Sequence, residues 1–125
     1  MEQTFGSYVR EKRMARGLSL RALAAKLEVS PVYMSNIEND RRPAPTMEKL
    51  NHLIEILGLC QTDAELLLDL AAKSRTQRVS ADLPEYIMER DIVRAALRTA
   101  KEVDATDEEW QEFIDRITQR QKPGN

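Results

Sequence analysis

Cysteine is nearly absent from this chain. Cys60 stands alone among 125 residues, so no internal disulfide can form and a reducing compartment is the simplest setting. A free thiol in the core is the ordinary expectation for it. Histidine is equally scarce: His52 is the only one, and no Cys, His, Asp or Glu stands around it at ligand spacing, so no metal site is expected. Glycine occurs four times, never as a phosphate-cradling loop, and no nucleophile–base pair or zinc spacing appears. The chain therefore reads as a protein that is not an enzyme and has no cofactor. No apolar run approaches membrane-spanning length, and the residues after Met1 lack a secretory apolar segment, so no membrane partner is expected and the cytoplasm is the expected location.

With 125 residues the chain has room for one domain and an extension, and it can bury roughly two-thirds of its unfolded surface without staples. The net charge of −2 conceals an asymmetry. Residues 1–60 carry +2 and residues 61–125 carry −4. In the first part the cations gather at Arg10, Lys12, Arg13 and Arg16, at Arg21 and Lys26, and at Arg41 and Arg42. Fields fade within about 8 Å at physiological salt, so such local patches, not the net charge, decide whether phosphate is attracted. The acidic second part is expected to discourage non-specific binding.

Apolar residues recur at helical spacing throughout, which predicts an all-α chain. A first helix is capped by Gln3 or Thr4 and stopped by Gly17, with Phe5, Tyr8, Val9 and Met14 on its apolar face. Between Leu18 and Arg42 two short helical patterns meet at a tight corner. One opens at Ser19 and carries Leu20, Leu23, Ala24 and Leu27 on one side; the other opens with Ser30 as cap and Pro31 at its first position. Met34 and Ile37 form the inward side of the second. Pro31, Val32, Ser35, Asn36 and Asn39 face out, followed by Arg41 and Arg42, an odd surface for a helix without a partner. For Glu38 the expected role is an inward bond to an arginine or backbone group of the first or fourth helix.

Beyond the stiff Pro43-Ala44-Pro45 loop, Thr46 caps a fourth helix that carries Leu50, Leu53, Ile54 and Leu57 and ends at Gly58. Thr62 to Glu65 reads as a capping box for a fifth helix that packs Leu66, Leu67, Leu70 and Ala71 inward. A polar stretch then suggests a linker at 74–82, dividing a domain of residues 1–73 from a helical extension of residues 83–125. The extension is expected to hold two helices. One starts at Asp82 to Glu85 and carries Ile87, Met88, Ile92, Ala95 and Ala96; the other starts at the Thr106 to Glu109 box and carries Trp110, Phe113, Ile114 and Ile117. That second stripe either folds back on the fifth helix or forms an interface.

The residues Leu18-Ser19, Leu23-Ala24, Val29-Ser30, Tyr33-Met34-Ser35 and Ile37-Glu38-Asn39, followed by Arg41-Arg42, resemble in order and spacing the XRE class of helix-turn-helix regulators, which includes the phage repressors and Cro proteins. The likeness extends more loosely from Phe5 to Leu59. It implies a five-helix lambda-repressor-like DNA-binding domain. Two positions depart from the family pattern: Leu20 stands where a glutamine is frequent, and Glu28 replaces the turn glycine, so Glu28 is expected in a left-handed turn.

By that resemblance the second motif helix enters the major groove of double-stranded DNA, with Pro31, Val32 and Asn36 facing bases. Ser19, Arg21, Ser30, Tyr33, Ser35, Asn39, Arg41 and Arg42 would hold phosphates or position the helix. One short helix reads too few bases alone, so a homodimeric repressor on a palindromic operator is expected, joined through Trp110, Phe113, Ile114 and Ile117. Regulators of this size resemble those of mobile elements and antitoxin pairs, which implies a protein partner such as a toxin or protease. The competing reading is an antitoxin or adaptor that holds a protein through its acidic C-terminal helices.

Overall fold

The computed structural model describes residues 2–75 and 79–120. Among them are eight helices and no strand: α1 (Phe5–Ala15), α2 (Leu20–Leu27), α3 (Pro31–Glu38), α4 (Met47–Leu57), α5 (Gln61–Lys73), α6 (Pro84–Glu89), α7 (Asp91–Val103) and α8 (Asp107–Gln119). The chain divides into two compact units, Met1–Pro84 and Glu85–Asn125.

In the first unit the apolar stripes of five helices meet in one core. Val9, Leu23, Leu27, Met34, Leu50, Leu53 and Leu67 are fully buried at its centre. Each such side chain contributes roughly 1.5–3 kcal/mol by leaving water. Three expectations about this core are corrected. Met14 lies beyond the buried face of α1 and is exposed, and Leu66 is exposed while Leu68 takes the inward position on α5. Cys60 is exposed instead of buried.

Local chemistry sets the helix ends. Thr4 caps α1 in a reciprocal box with Ser7. Ser19 and Ser30 cap α2 and α3 by accepting from the amides of Ala22 and Tyr33, each at 3.0 Å. Glu28 does adopt the left-handed conformation, with φ 62°, and closes α2 while the Val29 amide reaches back to the Ala24 carbonyl at 2.9 Å. Lys49 from α4 donates to the Leu27 carbonyl at 2.9 Å, so the corner between α2 and α3 is braced from below.

After α4 the chain closes in the same way. Gly58 has φ 61°, and the Leu59 amide bonds the Ile54 carbonyl at 3.1 Å. This back-turn brings Cys60 into the capping position and starts α5 at Gln61, so the expected box from Thr62 to Glu65 does not form. Asp63 serves another purpose: its carboxylate takes a bond from Lys12 at 3.2 Å, and its carbonyl accepts from the Tyr8 hydroxyl at 3.1 Å. Burial raises the Tyr8 pKa above the ordinary tyrosine value, and the bond to Asp63 raises that of Lys12. Together they tie α1 to the start of α5.

Of the segment 74–82 expected as a linker, residues 76–78 lie outside the described residues, while its two ends bond back to the first unit. Ser74 Oγ accepts from the Ala44 amide at 3.0 Å, Arg75 donates to the Ala44 carbonyl at 2.8 Å, and Ser80 bonds Asp69.

The second unit has three helices, not two. The expected sixth helix breaks at Arg90, which is extended at φ −124° and ψ 110°. Arg94 explains the break: its guanidinium binds the carbonyls of Ile87 (3.0 Å) and Met88 (2.5 Å) and also the Asp91 carboxylate, supplying partners for the end of α6 that a continuous helix would supply from its backbone. The capping box of Thr106 and Glu109 forms as expected and starts α8.

Two glycine-type positions give opposite predictions. A Cβ on Gly6 would lie 2.5 Å from the Ile37 carbonyl oxygen and 2.6 Å from that of Glu38. Gly6→Ala should therefore force α1 off α3 and lower stability by about 1–3 kcal/mol. Glu28→Gly should relieve the left-handed strain and raise it by ~1 kcal/mol. Urea unfolding of both variants beside the native chain checks the two signs.

Candidate nucleic-acid interface

The surface of α3 is shaped by what its inward side must do. Met34 and Ile37 are buried, which turns Pro31, Val32, Ser35 and Asn36 outward; Val32 is 71% exposed, high for a valine. No acidic or basic residue occupies the first turn of α3, so the helix N-terminus presents its partial positive charge on a surface of methyl, hydroxyl and amide groups. Cations lie around this surface. Arg21 is exposed in the first turn of α2, and Arg41 and Arg42 are exposed beyond α3, the Arg42 guanidinium lying 5.5 Å from the centre of the half-buried Tyr33 ring.

The C-terminal end of α3 is held far more firmly than its sequence suggests. The Glu38 side chain is 2% exposed. Arg13 binds it with two nitrogens, Nε at 2.7 Å and Nη2 at 3.0 Å, and gives its remaining Nη1 to the Leu18 carbonyl at 2.9 Å. Arg10 adds a longer bond at 3.4 Å. The bond to Glu38 raises the Arg13 pKa above the ordinary arginine value, so the guanidinium stays charged at any ordinary pH. Glu38 thus faces inward to an arginine of the first helix, as expected.

Two residues further on, Asp40 adopts φ 58° and terminates α3, with the Arg41 amide returning to the Asn36 carbonyl at 2.9 Å. Its carboxylate caps the start of α1, accepting from the Gly6 amide at 3.0 Å and from the Thr4 hydroxyl at 2.6 Å. The loop that follows, with Arg41 and Arg42, is therefore anchored at one end by Asp40 and at the other by the bonds of Ser74 and Arg75 to Ala44.

Sequence reasoning singled out Pro31, Val32, Asn36, Ser19, Arg21, Ser30, Tyr33, Ser35, Asn39, Arg41 and Arg42. The residues of α3 and its flanks come together on one face of the first unit, while Asn39 turns its amide to Ser35 and Arg10. Gly6, Arg13 and Asp40 were missed as positioning residues. Asp40 resembles an ordinary turn residue, and only its closeness to the α1 amides reveals its role. The four apolar residues of α8 lie in the second unit. There Phe113, Ile114 and Ile117 are exposed, and Trp110 meets Phe113 edge to face at 6.0 Å. Among the described residues no group of three or more His, Cys, Asp and Glu could hold a metal ion, and no helix is long and apolar enough to cross a membrane.

Two short helices, a left-handed corner and a second helix with an exposed polar face form a recurrent supersecondary unit, and the model of the helix-turn-helix domain matches residues 4–67. The chain belongs to the helix-turn-helix family. The chain is also similar to the HTH-type transcriptional regulator RamB of Mycobacterium tuberculosis, in strains CDC 1551 / Oshkosh and ATCC 25618 / H37Rv, at 38% identity over 93 residues. That alignment takes in 74% of this chain and 18% of RamB, so the chain spans less than a fifth of the length of these curated relatives. Among solved structures, the SinR protein/SinI protein complex is 21% identical, with a TM-score of 0.48, covering 94% of this chain and 97% of that one.

Within this helix-turn-helix the Glu38–Arg13 pair is the clearest target for disruption. Glu38→Ala should leave the Arg13 guanidinium without its carboxylate in a nearly dry site and cost about 3 kcal/mol or more of stability. Replacement of both residues by methionine should cost less. Chemical denaturation of the two variants checks the order.

Proposed function

We propose that this chain is a sequence-specific DNA-binding transcriptional regulator, acting in the cytoplasm as a dimeric repressor that reads a palindromic operator with α3. The observation that carries the reading is the outward face of α3: Pro31, Val32, Ser35 and Asn36 stand on a helix whose far end is locked by Glu38, with Arg41 and Arg42 exposed beside it. A rigid helix with a neutral, hydrogen-bonding front and cationic flanks suits a major groove lined by phosphates. The family membership and the similarity to the transcriptional regulator RamB support the same reading.

In this reading Val32 and Pro31 give apolar contact to a thymine methyl and Asn36 pairs an adenine edge, each good contact contributing roughly 1–3 kcal/mol of discrimination. Ser19, Ser30 and Tyr33 contact phosphates or sugars and fix register. The two cap serines accept from amides, which leaves their hydroxyl protons free for phosphate oxygens. Arg21, Arg41 and Arg42 supply charge, whose loss lowers the salt dependence of binding by about 0.9 per phosphate contact.

The dimer is assigned to the second unit, where the apolar faces of α7 and α8 are exposed. Phe113, Ile114 and Ile117 form one ridge, and Ile92, Ala96, Ala100 and Val103 of α7 with Trp110 line a groove of about 460 Å³. The same exposed surface favours the second reading, in which an antitoxin or adaptor holds a protein partner such as a toxin or protease through these helices.

Selection from a random double-stranded DNA library tests the main reading. The native chain should enrich a palindrome, and Asn36→Ala should lose preference at one base per half-site; weak, unselective binding would favour the adaptor. For the dimer, Trp110→Ala and Ile114→Asp should each lower subunit affinity and operator affinity together. Sedimentation showing either variant still dimeric at low micromolar concentration would remove these residues from the interface.

A further inference from the structure

Asn39 does not point freely toward solvent. Its Oδ1 accepts from Arg10 Nη2 at 2.8 Å, and its Nδ2 donates to the Ser35 carbonyl at 3.0 Å and to Ser35 Oγ at 3.3 Å. Arg10 in turn bonds the buried Glu38 through Nε at 3.4 Å. Because a guanidinium only donates, the amide oxygen must face Arg10 and the amide nitrogen must face Ser35; the orientation of Asn39 is fixed by chemistry.

The consequence falls on Ser35. A serine inside a helix often turns its O–H back onto the carbonyl one turn earlier. Here Oγ is occupied as an acceptor, and among the described residues it donates to no protein group. Its proton is thus directed away from Asn39, from the middle of the outward face of α3. A phosphate oxygen accepts and never donates, which matches this polarity.

We propose that Glu38, Arg10 and Asn39 form a relay that sets the Ser35 hydroxyl as a hydrogen-bond donor to a DNA phosphate, with Asn39 acting as a positioning residue and not as a phosphate contact. The inference rests on the DNA-binding reading above. It distinguishes two neighbouring polar residues on one helix that would otherwise both be counted as contacts.

A double-mutant cycle on the selected operator tests it. Ser35→Ala should weaken binding about tenfold, as expected for a hydrogen bond to a charged group. Asn39→Ala should weaken it by a similar factor, and the double variant should be no weaker than Ser35→Ala alone. The salt slope should stay at the native value in all three, because no charge is removed. If Asn39→Ala folds poorly, Arg10→Met, which cannot hold the amide, replaces it in the same cycle with Ser35→Ala, and only the coupling is read. Multiplying losses in the double variant, or native affinity for Asn39→Ala, would overturn the relay while leaving the DNA reading intact. Unselective binding by the native chain would overturn both.

Discussion

The position of α3 depends on one buried ion pair. A helix of eight residues has little stability of its own, and its outward face contributes nothing to the core. Glu38 closes this gap by taking both prongs of Arg13 in a site almost free of water, and Arg13 uses its third nitrogen on the Leu18 carbonyl, at the entrance to α2. Three helices are thus referenced to a single guanidinium. Desolvating two charges is costly, so the pair is best understood as a device for register more than for net stability. Asp40 repeats the arrangement two residues later by capping α1, and Gly6 is needed because the two backbones approach too closely for a side chain.

On the proposed reading, this anchoring lets a short helix present a fixed surface to DNA. Pro31 and Val32 at its start and Asn36 in its middle are held by contacts made behind them, so they need no support from the face they present. The corner before α3 is fixed from Lys49 below, and the loop after it is fixed at Asp40 and at Ala44. A bound groove would therefore meet a surface already in place, with little ordering entropy to lose. The second unit follows the opposite logic. Its helices are well capped by Thr106 and Arg94, yet they leave Ile92, Phe113 and Ile114 exposed, the face on which the proposed dimer rests.

Much of this was legible in the sequence. Apolar periodicity located all five helices of the first unit. The Ser19 and Ser30 caps, the Gly58 stop and the left-handed Glu28 follow from residue type and family pattern, and each forms as expected. The errors arise where two signals compete. Thr62 to Glu65 carries a good capping pattern, but the back-turn at Gly58 starts the helix earlier and leaves Asp63 for Lys12. The run from Pro84 to Val103 has no helix breaker, and the interruption at Arg90 depends on the Arg94 side chain reaching backward, which periodicity cannot report. Long-range partners were the least legible. Glu38 could be assigned inward from its place in the family pattern, but its choice of Arg13, and the roles of Asp40 and Gly6, exist only once α1 and α3 are packed together.

In the proposed function α3, locked from behind, is the surface that meets DNA. Two-dimensional NMR of the labelled chain during titration with the enriched operator tests it most directly. The largest shifts are expected at the amides of Val32 and Ser35, at the Asn36 side chain and at Arg41 and Arg42, with the Glu38–Arg13 site little changed. Shifts confined to residues 85–125, with α3 silent, would contradict it.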